Sequence, residues 1–575
     1  EKNVLVAGDT LNDLSLYSTG YKGVVVGAAE AALVEQTKHH SHVYHAERPG
    51  TGGIVESFAF FPEFTGYKPQ VAAQARKSAP GMTQLLMVYH RLPYELAEVN
   101  GEMKRVNVKS PNGIIPSLLG FFESGRSGSW IAWEENQNKK VQSLPSVPVD
   151  ETRYPNLKAA RIPMAKKDVE MFYKLFSKEA FWPTIFSFAD RAKFNHEQWE
   201  HFQKVNRLFA EKTAAEADYG ALAWIHDYNL WMVPAFLRIL RPDLKIGFFH
   251  HTAFPPADIF NIIPWRRDII GSLLQCDYVG FHIPRYVENF VDVVKSHTPI
   301  KVLSEVKCAP KFLTYSCALG VEKMVKEIDT GHRKVRMGAH PVGVNVENIK
   351  KLFADKEVQD DLKELTEQTR GKKIILSIER LDYVKGPLEK VRAFRSFLEN
   401  YPEFHGKVEL INICTPPAKG MKIYEKIEFE LTQAIGEING KFARLDWVPI
   451  RFFFRSLPFP ELIKYYALAD VAWITPLRDG LNLVAKEYVA VQGMKEKPDG
   501  VLIISEFAGA SVELKDALLT NPYDIKNLQE VLLYAFTMEE HERITRMKKL
   551  NEIVTYYDIE AWSNEFLSEL EHNGE

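Results

Sequence analysis

The stretch "SIERLDYVKGP" sets Arg380 and Lys385 five residues apart, where an apolar run gives way to a loop and then a helix pattern. A loop can fold both cations towards one point. Arginine offers a bidentate fork and lysine a point charge, a pairing suited to a diphosphate. The same residues would also suit a surface loop paired internally through Glu379 and Asp382. A second stretch, "TPLRDGLNLVAKEY", places Asp479 just beyond the strand-like run VAWITP and opens a helix with no acid in its first turn. The first N–H groups of a helix lack internal partners and carry partial positive charge, so an uncapped start suits a phosphate. The turn after Asn482 begins Leu483, Val484, which leaves those N–H groups open, and Asp479 is placed to hold sugar hydroxyls nearby. Asp-Gly as ordinary turn chemistry is the competing explanation.

Two more polar residues follow apolar runs in the same manner. "WIHDYNLWMVP" puts Asp227 just past one, and "GFFHHTAFP" puts His251 just past the next. A single residue so placed is commonly a satisfied loop group. Two on successive strands point to a site.

These positions require strands that end at a common edge. From TQLLMVYHRLP to about residue 340, short apolar runs (ALAWIHD, KIGFFHH, DYVGFH) alternate with helical patterns. A second alternating set follows: KKIILSIER, KVELINICT, DVAWITP and GVLIISEF. Alternation of this kind predicts doubly wound α/β units with ligand groups at the strand carboxyl ends. Two units facing one another would leave a cleft, a favoured place for ligands. Residues 1–80 form a separate unit, with strands VLVAGD and GVVVG and a helix AEAALVEQTK, and "YKPQVAAQARKSAPGM" reads as a linker.

With 575 residues, the chain predicts two to four domains. A net charge of −3 gives no electrostatic reason to expect nucleic acid. Its 12% aromatic content suits sugar handling and large cores alike. The four cysteines show no C-x-x-C pairing, which suits a reducing compartment and argues against structural zinc. No apolar run of membrane-spanning length and no signal-peptide pattern are found, so a cytoplasmic protein with no membrane partner is expected. The chain begins with Glu1 and runs directly into a strand, as part of a longer product would.

HRLP, FYKLFSKEAFWP, HDYNL, HTAFP, ERLDYVKG, RDGLNLVAKEY, SEFAGA and NPYD occur in this order. Over roughly residues 82–575 the chain thereby resembles the trehalose-6-phosphate synthase and glucosylglycerol-phosphate synthase family of retaining glycosyltransferases. The resemblance implies a GT-B fold of two facing Rossmann-like domains, an acceptor domain over 81–340 and a nucleotide-sugar domain over 341–545. A helical segment over 546–575 would cross back to the first. It further implies that Arg380 and Lys385 grip the donor diphosphate and that Gly113 lets a loop approach it closely. Asp479 and His251 would hold the donor glucose, with Asn482, Leu483 and Val484 completing that clamp and Glu487 binding the ribose. Asp227 would face the acceptor hydroxyls. Arg91, Tyr173 and Lys419 match positions that hold an acceptor phosphate, walled by Trp133 and Trp182. The family retains anomeric configuration. A front-face displacement would suit it, in which the departing diphosphate takes the acceptor proton, with no cofactor for the transfer itself.

Within the family, "SPNGIIPS" has Asn112 where trehalose-6-phosphate synthases have a first glycine, "TPPAKG" has Lys419 for an arginine, and His250 replaces an aliphatic residue. With "LLQCDYVGFHIPRYVENFV", these variants resemble the glucosylglycerol-phosphate branch, which uses ADP-glucose and sn-glycerol 3-phosphate. Trehalose-6-phosphate synthesis from glucose 6-phosphate is the nearest rival, and a non-catalytic regulatory subunit is the rival from another class. A homo-oligomer is left open. At the front, "VAGDTLNDLSLY" resembles the last motif of haloacid-dehalogenase-like (HAD-like) phosphatases, in which Asp9 and Asp13 would help hold Mg²⁺. The D-x-D nucleophile motif of that class does not occur ahead of it, so the phosphatase is expected to be incomplete.

Overall fold

The computed structural model describes residues 4–61, 83–99, 102–106, 114–123, 125–136, 143–417 and 422–572. The expected linker, together with Asn112, Gly113 and Lys419, lies outside the described residues. The chain divides into a small unit within residues 1–79 and a large unit over 80–328 and 335–575.

The small unit is a parallel three-stranded sheet, Leu5–Gly8, Lys22–Gly27 and Val43–Pro49 in that order. Tyr17, Val25, Leu33 and Val43 form its core, and the Tyr17 hydroxyl donates to the Val24 carbonyl at 2.8 Å. This is the α/β arrangement expected of the front segment.

The large unit holds two sheets. In the first, Lys334–Ala339, Tyr278–Phe281, Lys245–Phe249, Ala217–His226, Thr83–Val88, Gly128–Glu135 and Tyr154–Met164 run in parallel. Lys301–Lys307 and Lys323–Asp329 extend one edge. Val147–Asp150, antiparallel to its neighbour, closes the other. The second sheet is parallel throughout, in the order Ile450–Phe453, Val408–Thr415, Lys373–Arg380, Val471–Ile474, Val501–Ser505 and Leu518–Thr520. Its central strands are buried on both faces, which is why they read as near-continuous apolar runs. Both outer strands, Ile450–Phe453 and Leu518–Thr520, went unmarked by that signal.

In each sheet the chain starts near the middle, builds one side, and then returns to build the other side of its first strand. The reversal falls between Thr83–Val88 and Ala217–His226 in the first sheet, and between Lys373–Arg380 and Val471–Ile474 in the second. Crevices open at such switch points, outside the carboxyl ends of the strands. Tyr89 to Arg91 and Asp227 leave the first point. Arg380 and the 475–482 loop leave the second.

The segment expected to cross back is two helices. Glu540–Tyr556 packs on the second lobe, where Gly493 makes room for Asn551. Ile559–Glu571 lies under the first sheet, with Phe566 stacked on Trp224 (ring centroids 4.7 Å apart, planes 10° apart). A Cβ on Gly247 or Gly280 would come within 2.7 Å of Leu570 or Phe566, so both strands are glycine where that helix lies against them. The chain changes lobes at Tyr557 and Asp558.

Candidate active site

A cleft of about 560 Å³ lies between the strand tips of the two lobes of the large unit. On the second lobe, the turn Tyr383–Lys385 ends in Gly386 at φ +63° and leads into the helix Pro387–Asn400. Only a residue tolerant of the left-handed region holds this corner without strain. Asp382 caps the turn from inside, its Oδ1 accepting from the Val384 N–H at 3.3 Å. Its Oδ2 accepts from Arg380 Nη2 at 2.8 Å and from the Tyr424 hydroxyl at 3.2 Å. The internal pairing of the loop through Asp382 is therefore present, and it fixes Arg380 rather than neutralising the whole loop. Glu379 takes a different lysine, Lys390, at 2.7 Å.

Lys385 is left to point across the switch point, where its Nζ lies 2.6 Å from Asp479 Oδ2. Asn482 Nδ2 donates to the same oxygen at 2.9 Å, and Asn482 Oδ1 accepts from the Ala485 N–H at 3.0 Å. Asn482 thus caps the third N–H of helix Leu483–Gly493 and leaves Leu483 and Val484, which both line the cleft, to begin it. Beside them Gly480 meets the first lobe. A Cβ there would lie 2.8 Å from Thr252 Cα.

On the first lobe, Asp227 occupies the turn after Ala217–His226 at φ +72° and is 4% exposed. Burial pushes its carboxyl up to about 7, against the pull of the Tyr228 and His251 N–H groups and of Lys178. Its Oδ1 is buried without a partner among the described residues, an acceptor awaiting a donor. His251 lies beside it, one ring nitrogen 2.9 Å from His226 Nδ1. Burial, with the neighbouring His226, His282 and His250, keeps the His251 ring neutral, well below the usual histidine range. A neutral ring with a fixed partner is suited to holding hydroxyls rather than to carrying charge.

Further along the cleft, Arg91 Nη2 donates to the Tyr173 hydroxyl at 2.6 Å and its guanidinium lies over the Tyr173 ring. Burial alone would raise the Tyr173 hydroxyl, but Lys178, Arg91 and Arg380 together hold it below its ordinary value. A tyrosine encircled by three cations marks a pocket built for an anion. Trp182 closes this end, with Arg380 5.0 Å from its ring centroid and its Nε1 donating to Asp382 at 3.3 Å across the lobes.

The cleft therefore brings together Arg91, Tyr173, Trp182, Asp227 and His251 with Arg380, Lys385, Asp479, Asn482, Leu483 and Val484. Glu487 and Trp133 are not among the residues lining it. Glu487 is 4% exposed and accepts from the Tyr466 hydroxyl at 2.6 Å, and burial pushes its carboxyl up to about 8. Trp133 packs against the core, its indole N–H buried without a partner among the described residues. His250 is likewise a core residue, stacked on Trp231 and held neutral by burial, its pKa down to about 4. Among residues that sequence reasoning missed, His282 Nε2 donates to the His251 carbonyl at 3.0 Å from a third strand tip, and the run "GFH" carried the same signal as HHTAFP. Lys178 and Tyr424 carried none.

In the small unit, Asp13 Oδ2 accepts from the N–H groups of Asp9 and Thr10, both at 3.1 Å, so Asp13 caps its own loop. Glu30 Oε2 accepts from the Leu11 N–H at 2.7 Å. Among the described residues no group of three or more histidine, cysteine or acidic side chains is placed to hold a metal. Two carboxylates, one committed to a cap, fall short of a Mg²⁺ donor set.

Two parallel α/β lobes that meet at their switch points over a shared cleft are those of a GT-B glycosyltransferase. The chain belongs to glycosyltransferase family 20, which it matches over residues 83–572. Residues 1–62 match sucrose-6F-phosphate phosphohydrolase. The glucosylglycerol-phosphate synthase of Pseudomonas anguilliseptica is 54% identical over 98% of this chain and 75% of its own length. That of Synechocystis sp. is 42% identical over 85% of this chain and 97% of its own. The E. coli trehalose-6-phosphate structure bound with UDP-2-fluoro glucose superposes with a TM-score of 0.74 at 30% identity, over 85% of this chain and 99% of that one. Among the described residues no helix is long and apolar enough to cross a membrane.

Proposed function

We propose that the chain is a retaining glucosyltransferase that makes 2-O-(α-D-glucosyl)-sn-glycerol 3-phosphate from ADP-glucose and sn-glycerol 3-phosphate, in the cytoplasmic synthesis of the compatible solute glucosylglycerol. The observation that carries this reading is the cation-ringed Tyr173 pocket, set across Asp227 from the Lys385–Asp479 pair. One end suits a sugar nucleotide and the other a phosphorylated acceptor. The names of the relatives favour glycerol as that acceptor's backbone.

In this reading Arg380 and Lys385 hold the diphosphate while Asp479 and His251 hold the glucose. The N–H groups of Leu483 and Val484 lie at the sugar phosphate. Asp227 accepts a hydrogen bond from an acceptor hydroxyl and aims the neighbouring oxygen at the anomeric carbon. The bond from the anomeric carbon to the diphosphate breaks as the acceptor oxygen approaches from the same face. The leaving oxygen, held by both cations, takes the acceptor proton. Catalysis is then positioning plus charge stabilisation, with no cofactor required for the transfer. The front segment would dephosphorylate the product only when joined to residues that supply a nucleophilic aspartate and Mg²⁺.

A two-by-two assay tests this: ADP-glucose and UDP-glucose against glycerol 3-phosphate and glucose 6-phosphate. ADP-glucose with glycerol 3-phosphate should be at least tenfold more efficient than any other pair, about 1.4 kcal/mol of transition-state preference. Preference for glucose 6-phosphate would place the chain with trehalose-6-phosphate synthases. No transfer from any pair would favour a regulatory subunit.

A further inference from the structure

Lys178 is a cleft-lining cation that the reaction described above does not use. It lies on the helical segment Glu170–Phe181, one turn before Trp182. Its Nζ sits 3.7 Å from the centroid of the Trp182 ring and 5.9 Å from that of Tyr173. Its neighbour Lys174 pairs with Glu170 at 3.7 Å. Lys178 itself forms no ion pair among the described residues. The nearby carboxylate, Asp382, is already engaged by Arg380, Trp182 and Tyr424. Burial and the adjacent Arg380 bring the Lys178 ammonium down to about 8, against the pull of Tyr173 and Asp382, and Lys178 in turn draws down the Asp227 carboxyl, so its counter-charges act without a direct ion pair. Arg91 stands on the far side of Tyr173. Three cations therefore share two adjoining rings, with two carboxylates in reach of their charge: Asp382, which is fully used, and Asp227.

Lys178 and Arg380 both lie on the Trp182 ring, so an anion held by Lys178 rests close to the cation assigned to the donor diphosphate. Distance then selects the acceptor. In sn-glycerol 3-phosphate the phosphate-bearing carbon and the carbon of the reacting hydroxyl are adjacent. In glucose 6-phosphate, C5 and the ring oxygen intervene between C6 and the reacting C1. From this juxtaposition we infer that Lys178 is a direct ligand of the acceptor phosphate, drawing it inward from Arg91 and so selecting a short phosphorylated polyol over a hexose phosphate. This inference rests on the reading of the cleft given above.

Steady-state kinetics of Lys178→Met and Lys178→Arg with glycerol 3-phosphate test it, alongside ADP binding by calorimetry and thermal melting. The Met variant keeps the length of the side chain and removes its charge. Its KM for glycerol 3-phosphate should rise at least tenfold, with kcat within about threefold of wild type and ADP affinity unchanged. The Arg variant should fall between the two. In the wild type, kcat/KM for glycerol 3-phosphate should drop above pH 8 as the lysine loses its proton, and in the Arg variant that drop should vanish. This second measurement holds even if the Met variant unfolds. An unchanged KM in a folded Met variant, a parallel fall in ADP affinity, or the same alkaline drop in the Arg variant overturns the assignment. If the wild type prefers glucose 6-phosphate, the acceptor reading falls on its own. A tenfold KM effect of Lys178→Met on glucose 6-phosphate would then keep the lysine as a phosphate ligand and overturn its selection of short acceptors.

Discussion

Lys385 Nζ and Asp479 Oδ2 lie 2.6 Å apart, joining the two loops that leave the switch point of the second lobe. One residue was assigned to the diphosphate and the other to the sugar, and the structure makes them a single unit. With Asn482 on the same oxygen, Asp479 holds the ammonium in place before any ligand arrives. A preorganised cation of this kind costs no rearrangement when charge develops on the leaving group.

Lys385→Ala should lower turnover about a hundredfold, the usual cost of removing one preorganised charge-stabilising donor, near 3 kcal/mol. Asp479→Asn should also slow the reaction. Because the two act together, the double variant should lose far less than the sum, with a coupling of about 1 kcal/mol or more. Rate constants of the four proteins close this cycle, and strict additivity would separate the two roles.

In the proposed role Asp227 takes the hydrogen bond of the acceptor hydroxyl as a carboxylate. Its carboxyl is pushed up to about 7 by burial, so its charged fraction grows as pH rises through that value. Acceptor kcat/KM should rise between about pH 6 and 8 in step, and Asp227→Asn should be slow and lack this limb. A profile already flat at pH 6 in the wild type contradicts the role.

Glu487 keeps its proton in the folded chain up to about 8, whereas an unfolded glutamate loses it near about 4.3. The sign follows from proton counting: between these values the native state binds the extra proton, so this group's stabilisation is full below the lower value and is lost as pH rises through the upper one. Glu487→Gln cannot release a proton. Its melting temperature should fall less than that of the wild type between pH 5.5 and 8.5. Equal slopes in paired melting curves rule the effect out, and the donor KM of the same variant tests the ribose contact.

Phe566→Ala removes the ring that stacks on Trp224 and fills the space over Gly247 and Gly280. Losing a buried phenylalanine typically costs about 3–5 kcal/mol. Denaturant unfolding should show a loss of that order, and a loss below 1 kcal/mol would mean that the helix is not needed to cover the sheet.

The small unit offers the carboxylates of Asp9 and Asp13, and among the described residues no group of three or more histidine, cysteine or acidic side chains is placed to hold a metal. The 575-residue chain should therefore turn glycerol 3-phosphate into its glucoside without releasing inorganic phosphate, with or without EDTA. A phosphate-release assay decides this, and Mg²⁺-dependent release would place the phosphatase nucleophile within these residues.

The α/β architecture was legible because strands buried on both faces leave unbroken apolar runs, as in "KIILSI" and "VELINIC". Site residues at strand tips were legible for a related reason: a polar residue directly after such a run has few places to go except the cleft. Asp227, His251, Arg380 and Asp479 all followed it. His282 obeyed the same rule and was passed over. Residues reached through helices were harder. The side chain of Lys178 is aimed by Trp182 and Tyr173, and Glu487 is turned towards Tyr466 by packing around a helix that is buried nearly all round. Neither direction is encoded in local spacing. Asp382 looked like a loop acid, yet one carboxylate gathers Arg380, Tyr424 and a tryptophan 200 positions earlier in the chain.

The helix Ile559–Glu571 has a bearing on how the protein is made. The first lobe's sheet is complete in sequence by Ala339, but the aromatic face of Trp224, Phe249 and Tyr278 receives the stacking cover of Phe566 and its neighbours from the last helix. During synthesis at about 5–20 residues per second, more than two hundred residues must still be added before that cover emerges. For ten seconds or more the nascent lobe shows solvent an aromatic floor, a natural docking place for a holdase chaperone. Truncation or premature release upstream of Ile559 would make that exposure permanent, and aggregation through this floor would be its signature.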